Sequence, residues 1–117
     1  MSPKKGDPVA PPPAQGEYDV RYGSSPAVDG WREVCGKAPG NAAKAWAQMR
    51  TDPAPAQQTE RHHQLKYNLS HVDRGGKRLP QWQIEVTGGG RLWYLVDEEA
   101  QKVYLVYAGV GHPKATD

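Results

Sequence analysis

Three apolar runs, at residues 82–86, 91–96 and 102–108, follow one another with only Gly88-Gly89-Gly90 and the segment 97–101 between them. Runs this short, joined by reversals this short, pair with one another as an antiparallel meander, and the glycines supply the positive φ angles of a tight turn. Side chains alternate across a strand, so Trp82, Ile84 and Val86 share one face while Gln83 and Glu85 share the other. By the same alternation Arg91 lies with Trp93 and Leu95, opposite Leu92, Tyr94 and Val96. Both faces of that strand are largely apolar, so the sheet needs more cover than a half-exposed sheet does, from the chain or from a partner.

Upstream segments provide a cover for one face. Residues 17–22, where Tyr18, Val20 and Tyr22 alternate with charged residues, predict a short strand. Ser24 or Ser25 before Pro26 predicts a helix start, and Val28, Trp31, Val34 and Cys35 form its buried stripe as far as about Lys37. Gly36 and Pro39-Gly40 end that helix. Asn41 is expected to cap a second one, with Ala42, Ala45, Trp46 and Met49 as its apolar face up to Asp52-Pro53. A linker at 53–59, a strand at 65–69 and a polar loop at 70–80 complete the plan. The fold class is therefore α+β: an N-terminal strand, an antiparallel two-helix hairpin, then an antiparallel β-meander. Residues 1–16, with Pro3, Pro8, Pro11, Pro12, Pro13, Lys4 and Lys5, are expected to be a disordered tail, leaving 17–117 as a single domain.

The chain's 117 residues allow one small domain, and its mean hydropathy of −0.83 implies a modest core. Cys35 is the only cysteine, which excludes an internal disulfide, and it reads as a small buried residue. No run is long enough to span a bilayer and no secretory signal is present, so a cytoplasmic location and no membrane partner are expected. His62 and His63 point to opposite sides of an extended segment, and no third ligand has metal-site spacing, so no metal or other cofactor is expected. Between residues 61 and 91, Arg61, Lys66, Arg74, Lys77, Arg78 and Arg91 face only Asp73 and Glu85, a basic stretch suited to a polyanion. Tyr104 and Tyr107, three apart in an apolar strand, are expected on opposite faces, one of them in the core.

The run Trp82-Gln83-Ile84-Glu85-Val86, the glycine turn, Arg91-Leu92-Trp93-Tyr94-Leu95-Val96-Asp97, the apolar strand after it and Val110-Gly111-His112 together resemble the toxins of RelE/ParE-type type II toxin-antitoxin pairs. The resemblance covers about residues 17–114. It implies a small basic toxin held inactive by a cognate antitoxin. One branch is ribosome-dependent and cuts mRNA, an endoribonuclease activity called mRNA interferase; the other inhibits DNA gyrase without being a nuclease. By position, Arg91 matches an arginine at the scissile phosphate, where a planar guanidinium can hold phosphate oxygens and offset developing charge. His112 matches a position near the reaction centre, where an imidazole could protonate the leaving 5′ oxygen. RNA carries its own nucleophile in the 2′ hydroxyl, so this chemistry needs no metal.

Gln83 and Glu85 stand where nuclease members place lysines. Glu85 fits equally a base replacing lysine and a surface partner of Arg91. RNA contacts are expected from Arg61, Lys66, Lys77, Arg78 and Lys114, with Tyr107 as a possible stacking plane. A catalytically inactive, antitoxin-binding relative is the third reading of the same residues.

Overall fold

A computed structural model describes residues 3–9 and 11–111. Along the chain it shows β1 (Asp19–Tyr22), α1 (Pro26–Lys37), α2 (Pro39–Thr51), β2 (His62–Gln64), a 3-10 turn (Tyr67–Leu69), β3 (His71–Arg74), β4 (Lys77–Glu85), β5 (Arg91–Asp97) and β6 (Lys102–Gly109). The six strands form one mixed sheet in the order β1-β6-β5-β4-β2, with β3 paired to β4 off that path. β1 runs parallel to β6, and all other pairs are antiparallel. The α+β class and the strand, helix, helix, meander order follow the sequence expectation. Among the described residues no helix is long and apolar enough to cross a membrane.

Both helices lie on the face that carries Trp82, Ile84, Val86, Leu92, Tyr94 and Val96, joined by Val103, Leu105 and Ala108 of β6 and by Val20 and Tyr22 of β1. From α1 come Ala27, Val28 and Val34, and from α2 Ala42, Ala45 and Met49. Trp31, Cys35 and Trp46 are only partly buried at the margin of this core. α1 begins as expected: the Ser24 hydroxyl accepts from the Ala27 amide at 3.3 Å. Asn41 does not cap α2. Pro39 already occupies the first turn, where its missing N–H costs nothing, and the Asn41 side-chain amide donates instead to the Val86 carbonyl at 2.6 Å.

Four local expectations are corrected. Residues 65–69 are not a strand; the edge strand is β2, and Tyr67 is 90% exposed in a left-handed turn at φ 55. Residues 70–80 are not a loop but hold the β3–β4 hairpin, turned at Gly75 and Gly76, whose φ of 57 and 82 suit a two-residue reversal. The tail is not wholly solvated: Val9 is 3% exposed, and Gly6 and Val9 donate to the carbonyls of Tyr22 and Val20, both at 2.8 Å. Pro8 tolerates this edge position because the amides of its neighbours make the bonds. Finally, Tyr104 and Tyr107 share a face. Tyr107 stands opposite Trp93 but Leu105 stands opposite Tyr94, so Val106 is an extra residue that resets the alternation. The carbonyl of Val106 accepts from the Ser24 hydroxyl at 2.7 Å.

The second sheet face is covered largely by the chain itself. Leu65, Leu79, Trp93 and Leu95 are buried outside the helix-side core, and Gln81 donates to the Leu69 carbonyl at 2.8 Å. Arg74, at the end of β3, lies 4.1 Å above the Tyr104 ring and donates to the Gly23 carbonyl, which pins the hairpin to the sheet. The apolar face that called for an outside cover therefore has one from within.

α1 approaches β6 closely only because position 30 is glycine. A Cβ there would sit 2.0 Å from the Ala108 carbonyl oxygen, a backbone atom that cannot swing away. Gly30→Ala should therefore destabilise the fold by about 1–3 kcal/mol, reversing the gain of about 1 kcal/mol that alanine gives an unobstructed helix. Chemical denaturation of the two chains measures it; an unchanged or raised midpoint would show that α1 does not sit this close to β6.

Candidate functional site

β4 and β5 place Glu85 directly opposite Arg91, at the end of the sheet where the glycine turn joins them. The Arg91 side chain is 12% exposed, and its Nη2 lies 3.6 Å from the Glu85 carboxylate. Its Nη1 donates to the carbonyls of Gly90 at 3.1 Å and Thr87 at 3.4 Å. The turn is itself fixed, since the Gly90 amide donates to the Thr87 hydroxyl at 2.7 Å. Arg91 is thus held on three sides, while its Nε and Nη2 have no hydrogen-bond partner among the described residues. A planar donor fork oriented in this way suits a phosphate or carboxylate.

Tyr107 sits on the same face, its ring 5.8 Å from that of Trp93 and its hydroxyl donating to the Gly111 carbonyl at 3.0 Å. Arg91 and Tyr107 therefore lie near the point from which the chain continues toward position 112. His112 and Lys114 themselves lie outside the described residues. Gln83, beside this group, is buried and accepts from the Trp93 indole N–H at 2.7 Å.

The other expected contacts are dispersed. Arg61 is brought close, because its carbonyl accepts from the Glu85 amide at 2.7 Å. Lys66 lies on the far side of β2, beside Glu60 and His63 in a shallow cleft. Lys77 and Arg78 begin β4, so about 25 Å of strand separates Lys77 from Glu85. Lys77 is also occupied, at 3.2 Å from Asp97 and 3.1 Å from Glu99; the hydrogen bonds it donates, first to Glu99 and then to Asp97, raise its pKa. The structure brings together Glu85, Arg91, Tyr107 and Arg61, and leaves Lys66, Lys77 and Arg78 apart. Among the described residues no three His, Cys, Asp or Glu side chains gather as a metal site. Burial raises the pKa of Cys35, which does not favour a thiolate.

Sequence reasoning missed His62 as a structural centre. The Tyr94 hydroxyl, wholly buried, donates to the Pro53 carbonyl at 2.6 Å, and its single proton is thereby committed. His62 Nε2 also bonds that hydroxyl, so Nε2 must be the protonated nitrogen. The His62 ring packs edge-on to Trp82 with centroids 5.5 Å apart. Burial lowers the His62 pKa, the Pro53 carbonyl and Asp52 opposing weakly, and burial raises that of Tyr94 well above the ordinary phenol value. Nothing in a His-His pair in a polar stretch announces this. The only signal was a tyrosine on the core face of a central strand, whose hydroxyl had to find a partner.

Compared with protein-family models, with curated proteins and with solved structures, the chain matches none of them.

A histidine whose folded pKa is depressed stabilises the fold above its unfolded value of about 6.5, and that stability is lost as pH falls through the lower folded value. The midpoint of thermal unfolding should therefore drop between pH 7.5 and 5 more steeply in the native chain than in His62→Gln. Parallel pH profiles for the two chains would assign the acid sensitivity to other groups.

Proposed function

We propose that this chain is the toxin of a type II toxin-antitoxin pair of the RelE/ParE kind and that its target is messenger RNA on the ribosome. The observation that carries the reading is the placement of Arg91, oriented by its own turn at the end of β5 and opposite Glu85, within a strand, helix, helix, meander order.

In this reading an RNA phosphate takes up the free donors of Arg91 and displaces the Glu85 carboxylate from it. Released, Glu85 accepts the proton of the neighbouring 2′ hydroxyl, whose oxygen attacks phosphorus. Arg91 offsets the charge gathered on the phosphate oxygens, and His112 protonates the 5′ oxygen as its bond to phosphorus breaks. The products are a 2′,3′-cyclic phosphate and a free 5′ hydroxyl, so protons and bonds balance without a metal. Tyr107 offers a ring at the edge of the same site on which a base can stack. A cognate antitoxin and a cytoplasmic site of action belong to this reading.

A second reading, inhibition of DNA gyrase without cleavage, is favoured by one observation: Gln83 is buried against Trp93 and offers no cation where nuclease members carry a lysine. Pulse labelling after induction in bacteria separates the two. Methionine incorporation should collapse first while thymidine incorporation continues; the reverse order points to gyrase and retires the mRNA reading. Within the mRNA reading, Arg91→Ala should lower cleavage of ribosome-bound message by about 10²–10³-fold with an unchanged circular dichroism spectrum. Full toxicity of that variant would remove Arg91 from the mechanism.

A further inference from the structure

A groove of about 250 Å³ lies on the other side of Glu85, between α2 and the edge formed by β4 and β2. Lys44 and Gln48 enter it from α2, and Arg61 and His62 from the edge strand and its approach, with Ile84 as apolar surface. Among the described residues neither Lys44 nor Arg61 has an ion-pair partner, whereas Arg50 and Arg91 are each paired and Lys77 is paired twice. Both are carried on backbone anchored to the end of β4. Asn41, three residues before Lys44, is bonded to the Val86 carbonyl at 2.6 Å, and the Arg61 carbonyl accepts from Glu85 at 2.7 Å. The groove's one carboxylate, Glu85, is turned to Arg91.

From this geometry we propose that the groove is a phosphate subsite for single-stranded nucleic acid, with Lys44 and Arg61 as its two cationic contacts. The inference deepens the RNA reading above and rests on it. Two unpaired cations, one from α2 and one from the approach to β2, bordering a groove this size fit one phosphodiester and its sugar. Glu85 is a shared wall, so a strand lying over the end of β4 meets Arg91 on one side and this pair on the other. A phosphate here fixes the register of the strand at Arg91 without reading a base. His62 contributes a neutral wall, because burial lowers its pKa, so the positive charge of the groove comes from the two long side chains.

The test is binding of a short single-stranded DNA to the full purified chain. DNA has the same phosphates but lacks the 2′ hydroxyl, so binding is read without cleavage. Lys44→Ala with Arg61→Ala should weaken binding at least roughly tenfold and lower the salt dependence by close to the two contacts removed. Arg32→Ala, which removes one positive charge from the exposed side of α1, should have a smaller effect; an equal effect would show a general charge attraction and overturn the subsite. Equal DNA binding by the native chain and the double variant would overturn it too, while leaving the mRNA reading standing. Should the native chain bind no DNA, or bind an acidic peptide through Lys44 and Arg61 in its place, the groove is a protein contact and the proposal fails. Loss of translation arrest with groove-dependent DNA binding retained would count against the mRNA target alone.

Discussion

A hydroxyl group in the middle of a sheet has to be answered by something other than water, and the answer given to Tyr94 shapes half of this molecule. Its proton goes to the carbonyl of Pro53, just past the end of α2, and its oxygen accepts from His62 on the edge strand. One buried atom thus ties the central strand to the exit of the helical layer and to the sheet edge. Leaving such a group unpaired costs about 1–3 kcal/mol, a large share of the stability of a small domain. The His62 bond ties β2 to β5 across β4, and β2, paired to β4, in turn carries Arg61 to the end of β4. The electrostatics around Glu85 therefore depend on a neutral network buried on the opposite face of the sheet.

The two sheet faces differ in how they were closed. Helices cover one, and close packing there depends on the missing side chain of Gly30 against the Ala108 carbonyl. The other is closed by a polar hairpin held by Arg74 over Tyr104 and by Lys77 between Asp97 and Glu99. The extra residue Val106 makes the second arrangement possible, since it turns Tyr104 and Tyr107 to the same side. Tyr104 receives the hairpin's arginine, and Tyr107 closes over Trp93. The Glu85 and Arg91 pair lies, partly buried, at the end of that face beside the glycine turn.

Much of this was legible from the residues. The parity of Trp82, Ile84 and Val86 against Gln83 and Glu85 needs only the two-residue period of a strand, and the pairing of Glu85 with Arg91 follows once the glycine turn is placed. The helix bounds came from Pro26 and from the break at Asp52-Pro53. What escaped had no local signature. β3 and the start of β4 consist mostly of polar residues, so their hairpin was marked only by Gly75-Gly76. The bulge cannot be seen in an apolar run, because Val106 looks like any other strand residue until its partners across β5 are known. Asn41 was assigned to a helix cap from its type, whereas a carbonyl 45 residues away claimed its side chain. The prolines near the N-terminus predicted a solvated backbone, and the free edge of β1 took part of it through an isolated bridge at Pro8. In the candidate site, Arg61 required β2 to be placed before its nearness to Glu85 could be recognised.

β1 pairs in parallel with the last strand, and the bond from Ser24 to Val106 spans 82 residues. A contact of that span cannot form on a growing chain until β6 has been made. β1 must therefore wait for its parallel partner while β2 to β5 are made, and α1 waits with it for the strand on which Gly30 rests. The sheet is complete only when β6, which pairs with both β1 and β5, is in place.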